Sequence, residues 1–231
     1  MEIHGLNKTT LLDYPGHLAS TIFLGGCNFR CPFCHNASLV LSPSGQPAIP
    51  EESVFRYLNK RIGIIEGICI TGGEPTLYPG LTKFIHKIKE MGFLVKLDTN
   101  GNNPHIIKEL IKCGYLDYIA MDIKNSKAKY GLSSGINNFD TTRIDESISY
   151  LLSDPIEYEF RTTVVKEHHT LGDMNDIGEW IKGAKAYYLQ AYKDSGDTIA
   201  TGLTSPSKAD LYLYKDILSS YVSYVNIRGI D

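Results

Sequence analysis

Two kinds of apolar pattern alternate along the chain, and each predicts a different element. Short runs rich in β-branched and aromatic residues are typical of strands. Apolar residues three and four positions apart are typical of amphipathic helices. The predicted strands lie at 20–24, 67–71, 93–98, 118–123, 157–165, 186–192 and 221–227. The predicted helices lie near 51–61, 81–91, 104–112, 141–152, 173–184 and 207–219.

The regular alternation of strands and helices predicts the fold class. It favours βαβ units, a parallel sheet and right-handed crossovers. The predicted class is therefore α/β, as a partial (β/α)6 TIM-like barrel whose parallel sheet carries outer helices, in a single domain over residues 1–231. The least regular segments, 40–50 and 193–206, are predicted to be surface loops over or beside a site.

Composition and charge exclude several classes of partner. With 42% hydrophobic residues, the chain can bury a sizeable core. A formal net charge of −3 argues against a surface for nucleic acid or anionic lipid. The sequence contains no apolar stretch of the roughly 18 residues that a membrane helix needs, and no basic segment leads into an apolar run at its start. We expect a cytoplasmic protein with no nucleic-acid and no membrane partner.

The cysteines point to metal or redox chemistry. Three of the five, Cys27, Cys31 and Cys34, fall within eight residues, a spacing that does not suit a disulfide framework. Cys69 and Cys113 stand alone in apolar surroundings, so we expect both to be ordinary buried residues.

Two kinds of centre fit the three clustered thiols. One is a closed structural zinc site completed by His35, although neighbouring side chains such as Cys34 and His35 rarely converge on one ion in a tight loop. The other is a 4Fe-4S cluster held at three corners, with the fourth iron open. The spacing of the cysteines favours the cluster, and the zinc centre stays an alternative.

Polar or glycine-rich stretches follow the predicted strands one after another. In parallel α/β proteins the functional loops lie at the C-terminal ends of the strands. A single site assembled from several strands is therefore predicted. Its contributors are GGCNFRCPFCHN (25–36), TGGEP (71–75), DTNG (98–101), MDIK (121–124), Arg161 and Gln190.

Four of these motifs together carry a family resemblance that covers roughly residues 15 to 192. The chain resembles the radical S-adenosylmethionine (SAM) superfamily, and within it the activating enzymes of glycyl radical enzymes. The most similar of these act on anaerobic ribonucleoside-triphosphate reductase, and the activating enzymes of pyruvate formate-lyase are near relatives. The motifs are CNFRCPFCHN (27–36), ITGGEPTL (70–77), KLDTNG (96–101) and AMDIK (120–124).

This resemblance implies a specific reaction. One 4Fe-4S cluster with an open iron would chelate SAM, and a reductant such as flavodoxin or ferredoxin would supply an electron. Reductive cleavage of SAM would give a 5′-deoxyadenosyl radical, which would install a glycyl radical on a partner enzyme, here anaerobic ribonucleoside-triphosphate reductase.

The resemblance also assigns residues to the cofactors. The catalytic cluster ligands would be Cys27, Cys31 and Cys34. Glu74 would support its loop or accept from the SAM ammonium, and Lys124 would pair with the SAM carboxylate. Gln190 departs from the pattern, because a histidine is common at that position. The cofactor-binding residues would be Phe33, His35, Gly72, Gly73, Glu74, Asp98, Thr99, Asn100, Asp122, Lys124, Arg161 and Gln190.

Further expectations concern a cation, a partner surface and two histidines. Asp98, Thr99, Asp122 and the Ala120 carbonyl would form a site for a monovalent cation by resemblance. The stretch 124–131 is either a solvated turn or, through Lys127 and Lys129, a contact for the partner. We expect His168 and His169, on the loop after the strand at 157–165, to be surface or capping residues and not ligands.

Two alternative functions stay open at this point. A radical SAM enzyme that acts on a small molecule, such as 7-carboxy-7-deazaguanine synthase, would share the cysteine loop and GGEP. A zinc-stabilised binding module would be colourless and free of iron, whereas a cluster protein would be brown and sensitive to oxygen.

Overall fold

The computed structural model describes residues 2–230 and contains every strand and helix that the sequence predicts. The strands are β1 (Ile3–Thr10), β2 (Ala19–Leu24), β3 (Gly67–Gly72), β4 (Leu94–Thr99), β5 (Tyr118–Asp122), β6 (Glu157–Val164), β7 (Ala186–Ala191) and β8 (Tyr224–Arg228). The helices are α1 (Ala37–Leu41), α2 (Glu51–Asn59), α3 (Leu81–Glu90), α4 (Pro104–Lys112), α5 (Tyr130–Ser134), α6 (Thr142–Leu152), α7 (Leu171–Trp180) and α8 (Lys208–Leu218).

The strands are hydrogen-bonded in the order of the sequence, from β1 to β8. The predicted α/β class with a mostly parallel sheet is therefore confirmed. β1 was not predicted; it pairs with β2 in the antiparallel direction. Its sequence, IHGLNKTT, has no apolar run, because much of the strand is exposed or only half-buried. The helices α1 and α5 have five residues each, too few to show a helical period.

The chain forms two compact units. The first contains residues up to Asn28, Ser38–Thr99 and Asn103–Ile119. The second contains Phe29–Ala37, Asn100–Asn102 and the residues from Ala120 onward. The expectation of a single domain stays a prediction.

In the first unit, β2, β3 and β4 run parallel, with Ala19 opposite Gly67 and Gly67 opposite Leu94. The predicted face of α3 is buried to 2% exposure or less at Leu81, Phe84, Ile85 and Ile88. Burial of each such side chain stabilises the fold by about 1.5–3 kcal/mol. The parallel register brings the C-terminal ends of β2, β3 and β4 to one edge of this unit.

In the second unit, β6, β7 and β8 run parallel. Phe160 lies opposite Tyr187, and Tyr187 opposite Val225, so one face of these strands is apolar. The helices on either side of β7 begin at capping boxes, Thr170 with Asp173 and Ser207 with Asp210, in which each side chain satisfies a main-chain N–H. These caps explain why α7 begins two residues before its predicted start.

The two segments predicted to be irregular differ in structure. Segment 193–206 contains no helix and no strand, as predicted. Segment 40–50 includes the end of α1 and a short 3-10 helix, Pro43–Gly45, and its Ile49 forms a bridge with Ile3. Within residues 2–230, none of the helices combines the length and the hydrophobicity that crossing a bilayer requires.

Candidate functional site

The cysteine loop begins directly after β2 and belongs to both units. Cys27 lies in the first unit, and Cys31 and Cys34 lie in the second. All three are free of disulfide bonds, and Cys31 is buried. Burial raises the pKa of the Cys34 thiol, although the Asn36 main chain and the Lys124 ammonium act in the opposite direction. Because metal binding displaces thiol protons, a cluster would hold Cys34 as a thiolate.

The residues between the cysteines fix the part of the loop that lies in the second unit. The Arg30 N–H donates to the Ser134 carbonyl at 2.8 Å, and the Pro32 carbonyl accepts from the Ala200 N–H at 2.8 Å. Phe33 is 3% exposed and packs edge-on against the His168 ring, with 5.7 Å between centroids. Phe33 therefore anchors the loop. The thiols are not needed for that task.

His35 makes its own contacts with residues that follow β7. Its Nε2 lies 2.7 Å from the Lys193 carbonyl, and its ring stacks on Tyr192 with the planes at 21°. These contacts engage Nε2 and one face of the imidazole. They count against the closed zinc centre that the sequence left as an alternative.

The donor set fits an iron–sulfur cubane. Three thiols on one compact loop are soft donors of the kind such clusters use. In a cubane each thiolate binds a different iron, so the ligands need not converge on one point. Across residues 2–230, no group of three or more His, Cys, Asp or Glu side chains is placed to hold a single ion.

The glycines that follow β3 allow main chain to meet main chain in the first unit. The Gly73 N–H donates to the Leu24 carbonyl at 2.8 Å, and the Glu74 N–H donates to the Gly26 carbonyl at 2.9 Å. A Cβ at Gly73 would lie 1.8 Å from the Gly26 oxygen, and Gly72 has a φ of +118°. Glycine is therefore required here to join the loop after β3 to the loop after β2.

Glu74 supports this loop from inside. It is 1% exposed, and its Oε1 accepts from the Thr76 N–H at 3.1 Å, the Thr76 hydroxyl at 2.5 Å and the Thr99 hydroxyl at 2.8 Å. The carboxylate thus links the ends of β3 and β4. Of the two roles that the sequence suggested for Glu74, the contacts favour loop support.

Asp98, at the end of β4, pairs with a lysine that the sequence did not single out. Lys96 is 2% exposed, and its ammonium donates to Asp98 and lies 3.6 Å from the Cys69 sulfur.

Cys69 is fully buried, as predicted. Cys113 is exposed, so the prediction that it is buried was wrong. It is the C-cap residue of α4, directly after Lys112, where the apolar face has already ended.

A second charge cluster lies at the end of β5 in the second unit. Asp122 accepts from Arg161 Nε at 2.5 Å with one oxygen and from Lys124 Nζ at 2.8 Å with the other. Although burial acts in the opposite direction, these two cations lower the pKa of Asp122. Burial also opposes the charge of Lys124, yet Asp122 and Cys31 raise its pKa. These neighbours therefore favour the charged form of Lys124.

Two other residues predicted to bind cofactor are Asn100, which forms a hydrogen bond within its own turn, and Gln190, which lines a cavity. Asn100 is 5% exposed, and its Oδ1 accepts from the Asn102 N–H at 2.9 Å, which fixes the turn after β4. Gln190 lies on β7 and lines a cavity together with His35.

His168 and His169 are buried at 6% and 2% exposure, so of the two predicted roles, surface or capping residue, the surface role was wrong. Their polar atoms are satisfied internally: His169 Nδ1 lies 3.1 Å from the Val165 N–H, and its Nε2 lies 3.0 Å from the Lys124 carbonyl. An accepting Nδ1 and a donating Nε2 describe the neutral ring. Burial lowers the pKa of His169 to about 4.

This burial predicts a pH dependence of stability. Between about pH 6.5 and pH 4 the unfolded chain takes up a proton at His169 that the folded chain does not, so the free energy of unfolding falls as the pH falls. The expected loss is about 3 kcal/mol by pH 4. Urea titrations at several pH values would measure it. In His169→Gln this part of the loss should disappear, whereas exposed His86→Gln should retain it; equal slopes in all three proteins would contradict the assignment.

The stretch 124–131 is not a solvated turn. Asn125 and Ser126 are buried, and the two lysines are paired: Lys127 with Asp145 at 2.5 Å and Lys129 with Asp173 at 2.6 Å. Charge reversal at either lysine would therefore break an ion pair within the chain as well as any partner contact.

An ion pair between a residue of β6 and a residue of β8 was not predicted from the sequence. Glu159, whose side chain is fully buried, accepts from both terminal nitrogens of Arg228, at 2.7 and 2.8 Å. The only signal in the sequence was alternation: Glu159 and Arg161 share one face of a strand whose other residues are mostly apolar or Thr.

Comparisons with known proteins agree with this geometry. Residues 21–181 match the family model described as the Radical SAM superfamily. A candidate glycyl-radical enzyme activating enzyme of Methanocaldococcus jannaschii is 32% identical over 236 residues, which cover 99% of this chain and 96% of the relative. A 7-carboxy-7-deazaguanine synthase of Koribacter versatilis is 27% identical over 161 residues, 68% of this chain and 66% of the relative.

One solved structure shows the same fold. A domain of pyruvate-formate lyase-activating enzyme from Bacteroides vulgatus superposes with a TM-score of 0.58 at 17% identity, covering 71% of this chain and 99% of that chain. A mostly parallel α/β sheet with a three-thiol loop after its first parallel strand defines a class of iron–sulfur enzymes. Within that class, the chain belongs to the radical SAM superfamily, whose members use a 4Fe-4S cluster and SAM.

Proposed function

We propose that this protein is an activating enzyme that installs a glycyl radical on a partner enzyme, with anaerobic ribonucleoside-triphosphate reductase as the first candidate. The observation that carries the proposal is the match over 99% of this chain to a relative named for glycyl-radical enzyme activation. The deazaguanine synthase match leaves about a third of each chain uncovered. The activating enzyme is therefore the better whole-chain template.

When bound, a 4Fe-4S cluster and SAM supply one-electron cleavage of a carbon–sulfur bond and hydrogen-atom abstraction. Cys27, Cys31 and Cys34 would hold the cluster. Lys124, kept charged by Asp122, would pair with the SAM carboxylate. Gly72 and Gly73 would expose main chain near the SAM ammonium, on a loop that Glu74 holds in place.

Further predictions concern a cation, an electron donor and the location of the protein. Asp98 faces Lys96, and Asp122 faces Lys124 and Arg161, so both predicted cation ligands already have positive neighbours. A monovalent cation, an electron donor such as flavodoxin or ferredoxin, and a cytoplasmic location stay predictions. A reducing compartment would suit three thiols that form no disulfide bond.

The test uses anaerobically reconstituted protein with reductant and SAM. We expect 5′-deoxyadenosine without a partner, and an organic radical in the electron paramagnetic resonance spectrum when the reductase is added. The matched control is a reductase whose radical-bearing glycine is replaced by alanine. A protein that forms 5′-deoxyadenosine but converts a small molecule, and leaves every glycyl radical enzyme tested without a radical, would support the deazaguanine synthase alternative instead.

A further inference from the structure

A cavity of about 190 Å³ in the second unit lies at the C-terminal ends of β6, β7 and β8. The register explains its shape, because Thr163 lies opposite Gln190 and Gln190 lies opposite Arg228, so three adjacent strands present one row of polar side chains. The residues that line the cavity are His35, Thr163, Gln190, Ala191, Arg228 and Gly229.

Arg228 is fixed in this row and its charge is balanced. Glu159 engages both terminal nitrogens, and Arg228 also lines the cavity. A guanidinium has five N–H donors, more than these two bonds use. The guanidinium carbon lies 3.4 Å from the centre of the Tyr188 ring. Because Glu159 compensates the positive charge, the cavity favours a neutral ligand over an anion.

Thr163 and Gln190 offer hydrogen-bonding groups that the fold does not use. Neither the Thr163 hydroxyl nor the Gln190 carboxamide makes a side-chain hydrogen bond within residues 2–230. A hydroxyl and a carboxamide each donate and accept. The complementary ligand is a neutral group with a donor and an acceptor side by side, which describes the main-chain amide of a peptide.

The cavity suits an amide better than a nucleobase. Base-binding sites present open aromatic faces for stacking. The ring in this lining is His35, one face of which is covered by Tyr192, and the neighbouring Tyr188 ring is covered by Arg228. The row of polar side chains and the covered rings together favour a peptide main chain as the ligand of this cavity.

We propose that this cavity binds the main chain of the glycine-bearing segment of the partner protein, through Thr163, Gln190 and Arg228. The proposal rests on the proposed function and makes it more specific. It also moves Gln190, which the family resemblance places at the cofactor, to the protein substrate. The absence of a histidine at this position then reflects a change of substrate contact.

The test compares Thr163→Val, Gln190→Leu and the double variant with wild type, using anaerobic ribonucleoside-triphosphate reductase as the partner. Two constants are measured: the KM for the reductase from radical formation, and the Kd for SAM from calorimetry. Loss of one hydrogen bond should raise the KM about fivefold, and the double variant about twentyfold. The Kd for SAM should change less than about twofold. Thr82→Val on α3 is the matched control and should leave the KM unchanged.

Each other outcome overturns a specific statement. A Kd for SAM that rises in step with the KM would place the nucleoside in the cavity. Unchanged KM and Kd in the double variant would show that the cavity takes no part in recognition. Wild-type protein that forms no radical on the reductase would overturn the proposed function, and the cavity assignment with it. Thermal unfolding identifies any variant whose fold is damaged, and Thr163→Ser and Gln190→Asn provide second, milder tests.

Discussion

Replacement of Cys31 by alanine is expected to abolish both iron binding and SAM cleavage. Cys31 is the buried member of the three-thiol loop, and a metal centre that depends on three thiolates cannot be held by two. Iron and sulfide content after reconstitution, the visible absorption of the cluster and 5′-deoxyadenosine formation would all fall to background.

The matched control for this variant is Cys113→Ala. Cys113 is exposed at the end of α4, so its removal should leave iron content and cleavage at the wild-type level. Retained 5′-deoxyadenosine formation in Cys31→Ala would refute the ligand assignment. A colourless wild-type protein containing one zinc would refute the cluster itself.

Arg228→Met is expected to lower the free energy of unfolding by about 3 kcal/mol. The variant leaves Glu159, whose side chain has no exposed surface, without the guanidinium that holds both of its oxygens. A buried charge without a partner is costly, whereas a well-packed neutral pair of similar volume is often tolerated. Urea denaturation of the apo protein would measure the loss.

A double variant separates charge from packing. Glu159→Gln in the Arg228→Met background removes the buried charge that the guanidinium balanced and should recover most of the stability. The surface pair Lys185 and Asp154, about half exposed on both sides, provides the control: Asp154→Asn should cost less than about 1 kcal/mol. If the double variant is no more stable than Arg228→Met, lost packing on Tyr188 explains the effect, and the charge does not.

The elements that sequence reasoning located are those whose patterns are local. The strand at 67–72 and the helix at 81–90 each contain enough apolar residues to show their period. β1 was not predicted because Asn7, Lys8 and Thr9 are consecutive polar, exposed residues, and α5 was not predicted because five residues, one of them Gly131, show no period. Local patterns also singled out the three cysteines as candidate ligands, since their spacing is itself the signal.

The parts of the site that sequence reasoning missed depend on partners far apart in the chain. Glu159 and Arg228 are 69 positions apart, and only the register of β6, β7 and β8 brings them together. His169 was misjudged for a similar reason. A histidine is costly to bury unless its nitrogens are satisfied, and the Lys124 carbonyl that satisfies it lies 45 positions earlier.

The contact of Gly73 with Gly26 has a genetic consequence. Because the crowded atom belongs to the backbone, no smaller side chain elsewhere can make room for a methyl group at position 73. A suppressor screen started from Gly73→Ala should therefore return true revertants and few second-site mutations. Position 163 differs, because the Thr163 side chain lines a cavity and its hydroxyl makes no hydrogen bond within residues 2–230. A screen that selects for folding alone should therefore accept many replacements there.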